Sequence, residues 1–214
     1  MDEEISIIDA KTRNEKIKNF FVTNKKLILS ILLLIIIVIF GFYSFQIYQK
    51  GQRVLISDKY NSAVIDYENG AKSKTVLLMK EVIEEEDSTY SPLALYFLID
   101  NNLIESREKI NELFDVLIKK TSLDKEIKNL IIYKKGLYNA DFVNENELLN
   151  ILKPVINSNS VWKSHALYLL AEFFYSKDQK QKAKDFFSQI LQVENANQDI
   201  AKETQKRLNR DLSE

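Results

Sequence analysis

The chain has one histidine and no cysteine in 214 residues, and this inventory limits its chemistry before any fold is considered. A zinc site of the Cys/His kind needs three or four ligands, and His165 has no second recognisable one. Thiol nucleophiles and disulfides are excluded. What remains is mostly carboxylates and phenols. Asp66 with Glu68, and Glu145 with Glu147, lie two apart, so on a helix they point in different directions and are poorly placed for paired acid and base work. The run Glu84, Glu85, Glu86, Asp87 lacks the glycine and alternating spacing of a calcium loop and reads as a solvated cluster at a helix end. No catalytic constellation emerges, so the expectation is a non-enzymatic protein without cofactor, metal or small-molecule substrate.

One group has a spacing suited to recognition. His165, Tyr168, Glu172 and Tyr175 are separated by three, four and three residues and therefore share one helix face. In stacked helical repeats a polar and aromatic face of this kind lines a groove where a partner's helix or extended segment can lie. Tyrosine suits it, because the ring buries apolar area while the hydroxyl keeps a partner. These four residues form the candidate partner groove; a solvated face, or contact with a neighbouring helix of the same array, would use the same pattern. Trp162, the only tryptophan, reads as a staple at the entry of that helix.

The elements that must carry this face are helices. Four glycines and two prolines are too few for a glycine-rich phosphate loop or the many turns of a β-sandwich. Thirty basic against thirty-one acidic residues leave no basic excess for a phosphate backbone, which argues against nucleic acid. Residues 27–45 are apolar except for Ser30 and Ser44, and no charge falls between Lys26 and Lys50. A helix of this stretch is about 30 Å long at roughly 1.5 Å per residue, the thickness of a hydrocarbon core. The reading is an uncleaved signal anchor over 27–48 that meets the lipid bilayer, with Tyr43 and Tyr48 at its outer end. Lys11, Arg13, Lys16, Lys18, Lys25 and Lys26 precede the span, and only Lys50, Arg53 and Lys59 follow it closely. That asymmetry places residues 1–26 in the cytoplasm and residues 49–214 across the membrane. Gly41 has no small residue four away, so the span carries no GxxxG pairing motif.

Beyond the span the apolar residues recur at three and four, and no strand alternation appears. Helix edges divide the chain into Gly51–Tyr67, Thr75–Glu86, a helix capped by Ser91 with Pro92 in its first turn, then 105–119, 123–138, 145–156, 160–176, 179–193 and 199–212. Pro154 should bend or end its helix. Helices that open new pairs recur about every 34 residues, the tetratricopeptide period. In the last pair Leu170, Ala171, Phe174, Ala183, Phe187 and Ile190 fall at the packing positions of that repeat, while the small residues read as lost in the earlier pairs. The expected fold is all-α: a single transmembrane helix, then a tetratricopeptide-like solenoid of about four helix pairs, closed by a C-terminal helix. In that last helix Ala201, Thr204, Leu208 and Leu212 form the inner stripe, with lysines and arginines outside.

The N-terminal run DEEISIIDAKTRNEKIKNF, the single span, and the segments LFDVLIKK, LLNILKPVI and HALYLLAEFFYSKDQKQKAKDFF together resemble the YfgM-like family, ancillary subunits of the bacterial SecYEG translocon. The resemblance implies an inner-membrane protein with a periplasmic helical-repeat domain. Its implied partners are Sec translocon subunits and a periplasmic chaperone, of the membrane-anchored prolyl-isomerase-like kind. A self-associating scaffold for cell-envelope assembly is the alternative function.

Overall fold

The computed structural model describes residues 15, 16 and 18–212. The N-terminal run quoted above lies largely outside them. No strand occurs among the described residues. The chain divides into two compact units, Met1–Val54 and Leu55–Glu214.

Helix α1 runs Lys25–Glu68. Its apolar stretch has a mean hydropathy of 2.9 and none of it is buried, so it is long and apolar enough to cross a membrane. Ser30 donates its hydroxyl to the carbonyls of Lys26 at 2.8 Å and Leu27 at 3.0 Å. The helix thereby satisfies this polar group internally, as a hydrocarbon environment requires.

In the second unit the end of α1 is followed by α2 (Lys72–Glu84), α3 (Tyr90–Asp100), α4 (Arg107–Lys119), α5 (Lys125–Asn139), α6 (Glu145–Ile156), α7 (Lys163–Ser176), α8 (Lys180–Ile190) and α9 (Gln198–Asp211). From α2 onward, consecutive helices pack on one another, and α2 also meets α4, α5 meets α7, and α7 meets α9.

The packing repeats in register. Thr75, Met79 and Val82 on α2, Ile110, Phe114 and Leu117 on α4, Leu148, Leu152 and Val155 on α6, and Ala183, Phe187 and Ile190 on α8 are all at most 1% exposed. Spacing by four and three puts each triplet on one face. Ala63, Leu98, Gly136 and Ala171 are the matching buried positions on α1, α3, α5 and α7. Both series advance by 35, 38 and 35 residues. The small residue of the third pair is therefore Gly136. A methyl group there would come within 2.5 Å of Leu152 Cδ2, so glycine's cost inside a helix is offset by close approach of α6. The burial forms two clusters that part on α5, where Ile131 belongs to one and Ile132 to the other.

Caps set the helix starts. Ser106, Asp124, Asn144 and Asn197 each accept a backbone N–H with their side chains, and Asn144 with Glu147 completes a capping box. Helix α3 departs from expectation. It opens at Tyr90, where Asp87 Oδ1 accepts from the backbone N–H of Thr89 and Tyr90 at 2.8 Å each. Ser91 lies inside the helix, buried, and donates to the Val82 carbonyl at 2.8 Å. The acidic run thus contributes a cap: an aspartate reaching forward two and three residues satisfies orphan donors at the helix start. Pro154 sits two residues before the end of α6, consistent with a helix that stops soon after it.

Candidate partner-binding face

All four candidate groove residues lie on α7, yet their surroundings separate them. His165 turns toward α5. Its ring centroid lies 5.7 Å from Tyr133 and 5.0 Å from Trp162, and those two rings stack at 6.0 Å with 16° between their planes. His165 Nδ1 is buried without a hydrogen-bond partner. Burial pushes its pKa below the usual imidazole value, opposed by the Val161 backbone, so the neutral ring is favoured at neutral pH. Trp162 therefore closes an aromatic cluster between α5 and α7 as well as marking the helix entry.

Tyr168, Glu172 and Tyr175 meet the chain's own C-terminal region. Arg207 on α9 donates Nε and Nη2 to the two carboxylate oxygens of Glu172, both at 2.7 Å, and also pairs with Asp211. The same guanidinium lies 4.3 Å from the centre of the Tyr175 ring. Tyr168 sets its ring edge-on to Phe187 at 5.5 Å, and burial together with the Glu172 charge pushes its phenol up to about 12. In this structure α9 occupies the face, the neighbouring-helix use of the same pattern.

Arg207 corrects the expected character of α9. Its side chain is only 13% exposed, so it points inward beside Thr204 and Leu212, while Lys202, Lys206 and Arg210 stay exposed. Sequence reasoning missed Arg207, Tyr133 and Glu126. One regularity could have found two of them, since Glu172 and Arg207 are 35 residues apart, and Glu126 accepts from Ser160 Oγ at 2.7 Å across 34. Both contacts span close to the 35-residue advance of the core register, one joining α7 to α9 and the other the start of α5 to the entry of α7.

The carboxylate pairs are engaged in structure. Glu145 pairs with Lys182 at 2.8 Å and accepts from Gln179, contacts that hold its pKa below the usual range. Glu147 serves the capping box. Asp66 pairs with Lys74 at 3.0 Å and Glu85 with Lys59 at 3.1 Å. Among the described residues no group of three or more His, Cys, Asp or Glu side chains is placed to hold a metal. The part of the face that α9 leaves open lies on α5, where Leu137, 35 residues before Glu172, is 51% exposed.

No protein-family model, curated protein or solved structure matches this chain.

Proposed function

We propose that the protein is a non-enzymatic adaptor held in a bacterial inner membrane by one span, with its N-terminus cytoplasmic and a tetratricopeptide-type array in the periplasm. It works beside the Sec translocon, and its contacts hold a periplasmic chaperone near emerging chains. The observation that carries the reading is the core register, the same buried triplet and buried partner position four times over, the partner being small at Ala63, Gly136 and Ala171 and a leucine at Leu98, advancing by 35, 38 and 35 residues. Stacked helix pairs of about that period present extended surfaces to other proteins. The excess of lysine and arginine before the span supports the orientation. Confinement to the membrane surface raises effective concentration, so weak contacts suffice. The resemblance to the YfgM-like family supplies the translocon and the chaperone.

In-cell photo-crosslinking from Ile36 in the span and Leu137 on α5 tests it. Translocon subunits recovered from Ile36, and a periplasmic chaperone from Leu137, are expected. Adducts only with envelope-assembly proteins at both positions would leave the scaffold reading in its place.

A further inference from the structure

Two neighbouring grooves of opposite charge flank α4. One, of about 520 Å³, lies between α2 and the turn entering α4, and Lys72, Lys80 and Lys109 line it over an apolar floor of Val76, Leu103 and Ile104. The other, of about 600 Å³, lies between α4 and α6, with Glu108, Glu112, Asp115 and Glu147 in its lining. Glu105 is the one acidic residue of the first groove, and Arg107 and Lys135 are the cations of the second. Their formal charges are therefore +2 and −2. The three lysine ammonium groups and the Glu112 carboxylate have no ion pair among the described residues. At the rim of the acidic groove stands Phe142, 64% exposed, the most exposed large apolar side chain described in the Leu55–Glu214 unit.

We propose that two copies of this chain pair through these grooves, the basic groove of each against the acidic groove of the other. Phe142 of each copy then rests on Val76, Leu103 and Ile104 of the other. A two-fold axis beside α4 exchanges the two sides of that helix, so one self-complementary patch satisfies both contacts at once. A single groove of either sign would repel its own copy. Like-charge contact in other registers is unfavourable, which makes the charges a specificity device, and a buried aromatic anchor is the usual energetic centre of such a contact. Exposed ion pairs are individually weak, and confinement of both copies to one membrane supplies the effective concentration they need. This pairing is independent of the adaptor role, and the crosslinks from Ile36 and Leu137 read that role without it.

Because the chain has no cysteine, introduced thiols report the contact without background. Two differently tagged full-length chains, one carrying Phe142→Cys and the other Leu103→Cys, are co-expressed in membranes and oxidised. A disulfide-linked heterodimer is expected. It should fall about fivefold when the Leu103→Cys chain also carries Lys80→Glu and Lys109→Glu, and recover when its partner carries Glu108→Lys and Glu112→Lys. These charges are on the surface, and the recovery shows that the variants fold. Absence of the heterodimer, indifference to charge reversal, or equal linkage from Leu191→Cys, which is also exposed, would overturn the pairing.

Discussion

Arg207 grips Glu172 through two parallel hydrogen bonds of 2.7 Å, joining α9 to α7 across 35 residues. The fork joins the last helix to the array at its polar edge, while Thr204 and Leu212 hold it at the apolar one. Arg207→Ala should cost about 1–2 kcal/mol, reduced from the fully buried case because Glu172 is 35% exposed. Arg207→Lys should recover little of this, since an ammonium cannot make the planar fork or stack equally on Tyr175. The check is urea unfolding of the full chain, with proteolysis of the 191–197 connection as a local readout. Cleavage unchanged by Arg207→Ala would mean that the fork does not hold α9.

Gly136 offers a sharper test of the α5–α6 contact. Gly136→Ala gains about 1 kcal/mol of helix propensity but drives a methyl group into buried Leu152, and overpacking of this kind costs about 1–3 kcal/mol. Net destabilisation is expected. In a Leu152→Ala background the same change should become stabilising, because the obstructing atoms are gone. Equal effects in the two backgrounds would refute the steric account.

His165 links stability to pH. Burial lowers its folded pKa, so its contribution is complete above the unfolded value of about 6.5 and is lost as pH falls below that. The Tm should decline between about pH 7 and 5, and the environment of Trp162, whose ring centroid is 5.0 Å from His165, should change with it. His165→Phe should remove this step in tryptophan fluorescence. Carboxylates act in a lower window. For Asp115, burial raises the pKa, but Lys135 and Lys119 outweigh it and hold the group below its usual value. The Arg210 contact, opposed by burial and helped by Arg207, brings Asp211 down to about 2. Their stabilisation is present above about pH 4 and fades toward pH 2.

The start of α3 separates two serine and aspartate roles. Asp87→Ala should cost about 1 kcal/mol as a lost cap. Ser91→Ala should cost about 0.5–1.5 kcal/mol through the buried Val82 carbonyl left without its donor. Amide hydrogen exchange distinguishes them: Asp87→Ala should loosen Thr89 and Tyr90 selectively. If Ser91→Ala produced that pattern instead, the cap assignment would be wrong.

Much of the helical layout was legible because its causes are local. The boundaries of α6 follow from Asn144 and Glu147 at one end and Pro154 near the other, and the triplet Ala183, Phe187, Ile190 declares its buried face by spacing alone. Gly136 was harder to read as a packing residue, since its meaning depends on Leu152, sixteen residues later. Ser91 misled for a related reason. Serine before proline has the pattern of a cap, yet the neighbouring helix supplied a buried carbonyl and Asp87 reached the open donors first.

The candidate face shows the same division. Sequence alone determined that α1 is apolar enough to cross a membrane and that His165, Tyr168, Glu172 and Tyr175 share one side of a helix, because hydropathy and the 3.6-residue turn act within a single element. Only the tertiary structure decided what meets that side. It brought Tyr133 to His165 and Arg207 to Glu172 across intervals of about 32 and 35 residues, and left Leu137 and Phe142 exposed. A half-polar face can pair with any element that reaches it, and which one arrives is set by stacking of the whole array, beyond the range of local periodicity.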